Sequence, residues 1–449
     1  MHQEEDFDPS DEDAPDAPPR RPRLVSASAI DPKDWQNRII FDKKGFPKNL
    51  LANVMLVLER HPSWSGVLAH DDFAGCPVKL KPAPVSGGDP YPTGEWTETD
   101  TIRTAVWIQR EVGIECSTES VQNAMLAVAE QHRFHPVRSY LKGLQWDRVE
   151  RIDSWLSSYL GAAPTDYVRA VGRRWLVSAI ARVQEPGCQV DCMLILESKE
   201  QGIGKSTALK ILAGEDRDWF SDTPVEIGKL DSYQALKRIW IYEMSELAAL
   251  NGRDAERIKN FVSSRTDHYR QSYGKRFMDF PRQCVFAGTT NHRQYLVDRT
   301  GNRRFWPIRC SDAEADIAAL RRDRDQLWAE AFHAYLSGSP WHVDTQELRS
   351  MCRREQDKRR SQDGWVPIVR EWLRSPQAEI LCKQKEGLSA SDIMIEALKM
   401  RPSDINHGNT IRIGVVMVDL NSDKVRVREE GEREYRYFPD FEALRSDLA

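Results

Sequence analysis

The stretch Leu194-Ile-Leu-Glu-Ser-Lys-Glu-Gln-Gly-Ile-Gly-Lys-Ser-Thr207 decides how the fold of this chain is interpreted. An apolar segment leads into a glycine-rich turn, and the turn ends in Gly-Lys-Ser-Thr. Small residues let backbone N–H groups curl around phosphate oxygens, a lysine adds a mobile positive charge, and a serine hydroxyl can bind Mg²⁺ where a helix begins. The segment therefore predicts a phosphate-binding loop for ATP and Mg²⁺. The residues expected to contact the nucleotide are Gly202, Ile203, Gly204, Lys205, Ser206 and Thr207.

The pattern departs from the usual phosphate-binding loop at one position. Lys199 stands five residues before Gly204, where the full pattern has a glycine. One extra residue in the turn would account for the difference. The alternative is an ordinary glycine-rich turn, but the strand-like run before it and the helix-like segment 208–212 after it favour phosphate binding.

Composition limits the class of protein. The chain has 449 residues, of which 30% are charged and 40% hydrophobic, and its net charge is −5. This length predicts two or three domains with their own cores. The apolar runs are far shorter than the ~20 residues that cross a bilayer, and the N-terminus is acidic where a signal peptide would be basic. The eight cysteines lack zinc-ligand spacing. We therefore expect a cytoplasmic protein with reduced thiols and no membrane partner.

The order of patterns along the chain predicts an α/β protein. Strands and helices alternate around three apolar runs, 193–196, 239–242 and 284–287, which we interpret as buried central strands. Near the C-terminus, two helix-like segments precede a two-stranded ribbon, which indicates either a winged helix or a helical cap with an edge hairpin. The regions expected are a disordered acidic tail (1–28), a helical accessory domain (29–150), a helical lead-in (151–187), the core (188–340) and a helical C-terminal region (341–449).

Two carboxylates follow the second predicted strand. Glu243 ends an apolar run and Glu246 comes three residues later. At a strand tip beside the phosphate loop, one acid can bind Mg²⁺ and the other can polarise the attacking water. We assign Glu243 to the metal and Glu246 to the base, although the roles could be exchanged. The alternative is a pair of solvated acids in a turn.

Polar and basic residues follow the third predicted strand. Asn291 ends the run Gly-Thr-Thr-Asn and is predicted to sense the γ-phosphate or hold the attacking water. Arg303 and Arg304 follow within Gly-Asn-Arg-Arg-Phe-Trp. A guanidinium there could reach the γ-phosphate of a neighbouring subunit as an arginine finger. The alternative for the arginines is a salt-bridged turn.

Residues 253–276 carry seven arginines or lysines against three acids, with tyrosines between them. Tyr273, Lys275 and Arg276 lie at a predicted hairpin tip. Cations beside aromatic rings suit a single-stranded backbone with stacked bases, so we expect contact with DNA there. The alternative is a solvated charged face.

Taken together, these residues resemble the virulence-associated E family of phage and prophage replication proteins, P-loop ATPases related to superfamily 3 helicases. The matching segments include 201–207, 240–247, 281–291 and 300–307, and the likeness extends over roughly residues 45 to 340. It implies an AAA+-like core, a homo-oligomeric ring, taken to be a hexamer, and 3′-to-5′ movement on single-stranded DNA. It also implies that the Lys259 helix and the Lys275 hairpin contact DNA.

The function that follows is an ATP-dependent DNA helicase, or DNA-stimulated ATPase, acting on single-stranded or forked DNA for a phage, prophage or mobile element. Family members are often fused to a primase, but no segment here has the expected acids, so a primase would be a separate partner. One alternative is a nucleotide-gated DNA-binding or regulatory ATPase that does not unwind. The other is a P-loop phosphotransferase, which would leave the basic hairpin unexplained.

Overall fold

The computed structural model describes residues 35–84, 92–245, 252–270, 277–296, 301–361, 363–429 and 432–446. The tail predicted over 1–28 lies outside these ranges. The chain divides into two compact units, Met1–Phe134 and His135–Ala449. None of the helices in the described ranges combines the length and the apolarity that a bilayer crossing requires.

The first unit packs helices against a small mixed sheet. Its core holds four tryptophans, of which Trp64 lies edge-on to Trp107 and tilted against Trp96. The sheet order is β3-β2-β1-β4. The elements are α1 (Leu51–Arg60), β1 (Leu68–Asp71), β2 (Cys76–Lys79), β3 (Gly94–Glu95), α2 (Glu98–Glu111), α3 (Thr118–Gln131) and β4 (Arg133–Phe134).

This unit differs from the helical domain predicted over 29–150. It contains a sheet, and it ends at Phe134. The strands are only two to four residues long, so they are too short to produce a clear alternation of polar and apolar residues in the sequence.

The second unit is built on a five-stranded parallel sheet with the order β11-β5-β10-β7-β6. The three predicted central strands are β5, β10 and β7, and all their residues are buried. The elements up to the last strand of this sheet are α4 (Pro136–Gly143), α5 (Trp155–Leu160), α6 (Asp166–Gln184), β5 (Met193–Glu197), α7 (Lys205–Ala213), β6 (Phe220–Ser221), α8 (Leu230–Gln234), β7 (Ile241–Met244), α9 (Gly252–Ser263), β8 (Thr266–Arg270), β9 (Phe277–Pro281), β10 (Val285–Thr290) and β11 (Phe305–Arg309).

Buried tryptophans connect the helices to this sheet. The indole N–H of Trp175 on α6 donates to Phe286 O on β10, and that of Trp240 donates to Ala179 O on α6. Trp328, on the following helix α10 (Ile317–Leu336), donates to Leu212 O on α7. Each ring buries a large apolar area while its polar atom remains paired. The expectation of a mixed α/β fold with a parallel sheet is confirmed.

The basic segment forms part of a β-hairpin. Strands β8 and β9 pair antiparallel from Thr266 opposite Pro281 to Arg270 opposite Phe277. The predicted tip, 272–276, lies between them and outside the described residues.

The C-terminal part of the second unit has a core of its own. Ser389 caps α14 and forms a capping box with Asp392, as expected for a helix start there. The predicted ribbon is β13 and β14, but β12 also pairs with β14, so the sheet has three strands in the order β12-β14-β13. The elements after α10 are α11 (Gln346–Lys358), α12 (Trp365–Leu373), α13 (Pro376–Gln384), β12 (Leu388–Ser389), α14 (Ala390–Glu396), α15 (His407–Asp419), β13 (Asp423–Glu429), β14 (Glu432–Phe438) and α16 (Phe441–Ser446).

Candidate functional site

The glycine-rich turn between β5 and α7 has a backbone that requires glycine. Gly202 and Gly204 have φ angles of 74° and 98°, which side-chain-bearing residues adopt only with strain. A Cβ atom on Gly204 would also come within 3.2 Å of the Ile317 side chain. Helix α7 begins at Lys205, directly after Gly204. The free N–H groups and the positive dipole end of its first turn therefore adjoin the turn and suit an anion.

Lys205 is held in place by two side chains. Its Nζ donates to Asn291 Oδ1 at 2.9 Å and also to Ser198 Oγ. The side chain is only 7% exposed, and this burial lowers the pKa of Lys205. Two residues that were predicted independently, Lys205 and Asn291, are thus in direct contact. Ser198 was missed, because no sequence motif distinguishes it from other loop serines.

Ser206 and Glu243 are also in direct contact. Ser206 Oγ donates to Glu243 Oε1 at 2.7 Å, and Thr289 Oγ1 donates to the same oxygen at 2.6 Å. Glu243 is 2% exposed, and among the described residues its Oε2 atom has no hydrogen-bond partner. A buried carboxylate oxygen without a partner is costly, so it suggests that a ligand completes the site.

These atoms fit Mg²⁺. The described residues contain no group of three or more His, Cys, Asp or Glu side chains that could hold a metal by themselves. Mg²⁺ usually binds through one or two carboxylates together with substrate phosphates and water. The buried Oε2 of Glu243 and the hydroxyl of Ser206 provide ligands of this kind.

A cleft of about 570 Å³ adjoins these groups. It is lined by residues 201–207, by Ser245 and by residues 289–292. It therefore contains all six loop residues predicted to contact the nucleotide. It lies at the carboxyl ends of the parallel strands β5, β7 and β10, where open α/β sheets bind their ligands.

A buried ion pair supports the strand that leads into the turn. Arg359 Nη2 lies 2.6 Å from Oε1 of Glu197, the last residue of β5, and Tyr295 Oη donates to Glu197 Oε2 at 3.2 Å. Burial by itself would lower the pKa of Arg359, but its bonds to Glu197 and Glu355 raise it. Sequence reasoning missed this pair because its partners are far apart in the chain.

The two arginines proposed as fingers lie away from the cleft of their own chain. They precede β11, and β11 runs parallel to β5 with Phe305 opposite Met193, so they adjoin the amino edge of the sheet. Arg303 is 76% exposed, with Asp191 at 4.0 Å. Arg304 is half-buried and donates to Ser263 Oγ.

The predicted DNA contacts have different outcomes. Lys259 is only 4% exposed, so its ammonium group is not available to a DNA strand at the surface. We therefore withdraw Lys259 from the predicted DNA contacts. Its helix, α9, turns that residue inward alongside Phe261 and Val262, which are buried as well. Tyr273, Lys275, Arg276 and the predicted base Glu246 lie outside the described residues.

Comparisons with known proteins give one family and several structural neighbours. Residues 141–361 match the family model of the virulence-associated protein E-like domain. Two apo structures of the NrS-1 C-terminal region are similar to the chain at 13% and 12% identity, with TM-scores of 0.39 and 0.41. Both alignments cover 67% of this chain and 78% of the other. No curated protein matches the chain.

Proposed function

From the membership of residues 141–361 in the virulence-associated protein E-like family, we propose that this protein is an ATP-dependent DNA helicase. In this proposal it is a cytoplasmic protein that serves the replication of a phage, prophage or mobile element. Residues 188–340 form an AAA+-like P-loop ATPase core, and the C-terminal sheet and helices form a winged-helix-like region. The active assembly is a ring, a hexamer by analogy with the family, with any primase supplied by another protein.

One observation carries this proposal. Lys205, Ser206 and Asn291 line one cleft, where Lys205 donates to Asn291, and Ser206 donates to the buried Glu243 behind it. A phosphate chain, a divalent cation and an attacking water need this combination of cation, hydroxyl, carboxylate and amide. An ordinary glycine-rich turn would not require it.

Each side chain then has a role at a named atom. The N–H groups of 202–207 bind the β- and γ-phosphates, and Lys205 Nζ moves from Asn291 to a phosphate oxygen. Ser206 and Glu243 would hold Mg²⁺, which when bound would neutralise charge on the transferring phosphoryl group. Asn291, once released by Lys205, orients the water. Glu246 remains the predicted base.

The metal role of Glu243 is directly testable. Glu243→Gln keeps the size of the side chain but removes the charge, so ATP turnover is expected to fall by about 100-fold, the typical loss for one preorganised electrostatic group. Half-maximal activity should require more Mg²⁺. A magnesium titration of ATP hydrolysis measures both effects. Glu314→Gln, a change at an exposed acid outside the cleft, is the control. If Glu243→Gln hydrolyses ATP at the wild-type rate, Glu243 does not hold the catalytic metal.

The proposed DNA contact is the segment between β8 and β9, where Lys275 and Arg276 are predicted to form a hairpin tip. Lys275→Ala/Arg276→Ala is expected to abolish the stimulation of ATP hydrolysis by single-stranded DNA. It should also reduce the salt slope of binding by about one to two units. With fewer cations on the protein, fewer phosphates are neutralised and fewer counterions leave the DNA. The double variant should also fail to unwind a forked duplex.

The matched control for this experiment is Arg321→Ala/Arg322→Ala, which removes the same charge from an exposed face of α10. Loss of stimulation in both double variants would indicate a general charge effect and refute the hairpin contact.

Wild-type protein that hydrolyses ATP with DNA stimulation but does not unwind a fork would favour a nucleotide-gated regulator. The helical C-terminal region with its three-stranded sheet would suit that alternative. Hydrolysis without any stimulation would favour a phosphotransferase.

Arg303 is the better candidate for an arginine finger. It is exposed and only loosely paired, whereas Arg304 is engaged by Ser263 and by Gly301 O. Because Arg303 lies at the sheet edge opposite the cleft, it would act on the nucleotide of a neighbouring subunit.

A further inference from the structure

A second cavity lies apart from the cleft just described. Its volume is about 740 Å³, within the range of small-molecule sites. Its walls come from the segment before β5, from the start of β11, from residues 341–343 and from α11. Gln189, Asp191 and Cys192 precede β5, whereas the catalytic cleft follows it. Strand β5 itself, about 13–17 Å long at the usual rise per residue, therefore separates the two cavities.

Three arginines line this cavity. Arg349 and Arg353 lie four residues apart on α11, so they occupy one face of the helix, and Arg303 faces them from the segment before β11. Arg349 and Arg353 are exposed, and neither has an ion pair or a side-chain hydrogen bond within the part of the chain that the structure describes. Asp191 is the one acid among the lining residues. Unpaired like charges on one helix face repel each other, and an anion between them would remove the repulsion.

An unpaired donor lies in the same wall. Trp306 is 1% exposed, and its indole N–H has no acceptor among the described residues. Indole N–H groups usually find a partner when they are buried. The other indole of the cavity, that of Trp341, donates to Gln189 O and is therefore satisfied while its ring still borders the space. Trp306, which lines the cavity, thus has an unpaired N–H group.

We propose that this cavity is a second nucleotide site, which binds phosphate through Arg349 and Arg353 and places the base against Trp341. Arginine forks bind phosphate oxygens in pairs, and aromatic rings stack on bases of any sequence. The ligand is a free nucleotide or one nucleotide unit of a single strand, since both present the same phosphate and base. This inference does not depend on ATP hydrolysis at the cleft.

The test measures binding in a Lys205→Ala background, which silences the cleft. Two probes distinguish the source of the ligand: thymidine 5′-monophosphate, followed by calorimetry, and a fluorescein-labelled oligothymidylate, followed by anisotropy. Adding Arg349→Ala/Arg353→Ala is expected to weaken binding at least tenfold. With the oligonucleotide, the salt slope should fall by about 0.7, because the site binds one phosphate and each phosphate contact on a single strand contributes about 0.7. Trp306→Phe, which keeps the ring but removes the N–H, should also weaken binding.

The matched control is Arg354→Ala. This arginine is next to Arg353 on α11 and exposed, but it does not line the cavity. Arg349→Gln/Arg353→Gln serves as a second variant, and circular dichroism verifies that each protein is folded. A loss with both probes identifies a site for free nucleotide, and a loss with the oligonucleotide alone identifies a strand site. The proposal is overturned if the parent protein binds neither probe, or if the double variant binds both as tightly as Arg354→Ala does.

Discussion

Lys205→Ala is expected to reduce ATP hydrolysis by at least about 100-fold, which corresponds to the loss of one preorganised charge from the transition state. The ammonium group borders the cleft and is already positioned by Ser198 and Asn291. No other lysine or arginine lines that cleft in the described part of the chain, so the described residues of the same chain offer no second cation there. A phosphate-release assay with saturating Mg²⁺ measures the effect.

Lys210→Ala is the matched control, because it removes an exposed lysine from the same helix, α7. Its turnover should equal that of the wild type. Thermal unfolding of both variants separates lost catalysis from lost structure. If Lys205→Ala retains wild-type turnover, then hydrolysis occurs elsewhere and the proposed function is wrong.

The same variant tests assembly between subunits. Mixing Lys205→Ala protein with Arg303→Ala protein should restore part of the activity, because a mixed pair can combine one intact loop with one intact finger. Neither protein alone should be active. A fully active monomer at the working concentration would refute the arginine-finger role of Arg303.

Arg359→Ala is expected to lower the free energy of unfolding by about 3–5 kcal/mol, since removing one partner of a buried ion pair leaves the other charge uncompensated. The remaining charge would be Glu197, which is buried at the end of β5 with only Tyr295 Oη donating to it from the other side chains described. The destabilised strand end is the one that leads into the glycine-rich turn. Nucleotide binding should therefore weaken together with stability.

Urea unfolding of the full chain, followed by circular dichroism, measures this change. Arg321→Ala is the control, because its partner Glu215 is also at the surface and the pair is exposed to solvent. Exposed pairs contribute little, so this variant should unfold at the wild-type urea concentration. Equal effects of the two variants would show that Glu197 tolerates the loss of its partner.

The sequence reveals those parts of the site whose residues are adjacent along the chain. Gly202, Gly204 and Lys205 follow one another within a single turn, and the buried runs around Glu243 and Asn291 are long enough to be interpreted as strands. The structure places these segments in contact, and the catalytic roles of their residues stay predictions.

The remaining features depend on contacts that local patterns do not encode. Arg359 meets Glu197 across more than half of the second unit, and Ser198 reaches Lys205 only because the turn folds back. Lys259 belongs to a segment rich in cations, yet its helix turns it inward. Charge counts along the chain cannot distinguish the two faces of a helix when its packing partner is unknown.

The order of strands in the central sheet also has a consequence for folding during synthesis on the ribosome. Strand β5 lies between β10 and β11, and both follow it far downstream in the chain. Parallel strands cannot be joined by a hairpin, and pairing across long separations is slow. Until Phe305 has been synthesised, the nascent chain therefore carries an apolar strand with an open edge, which invites pairing with other chains. Translation that stops before β11 should consequently yield aggregates and no soluble, partly folded protein.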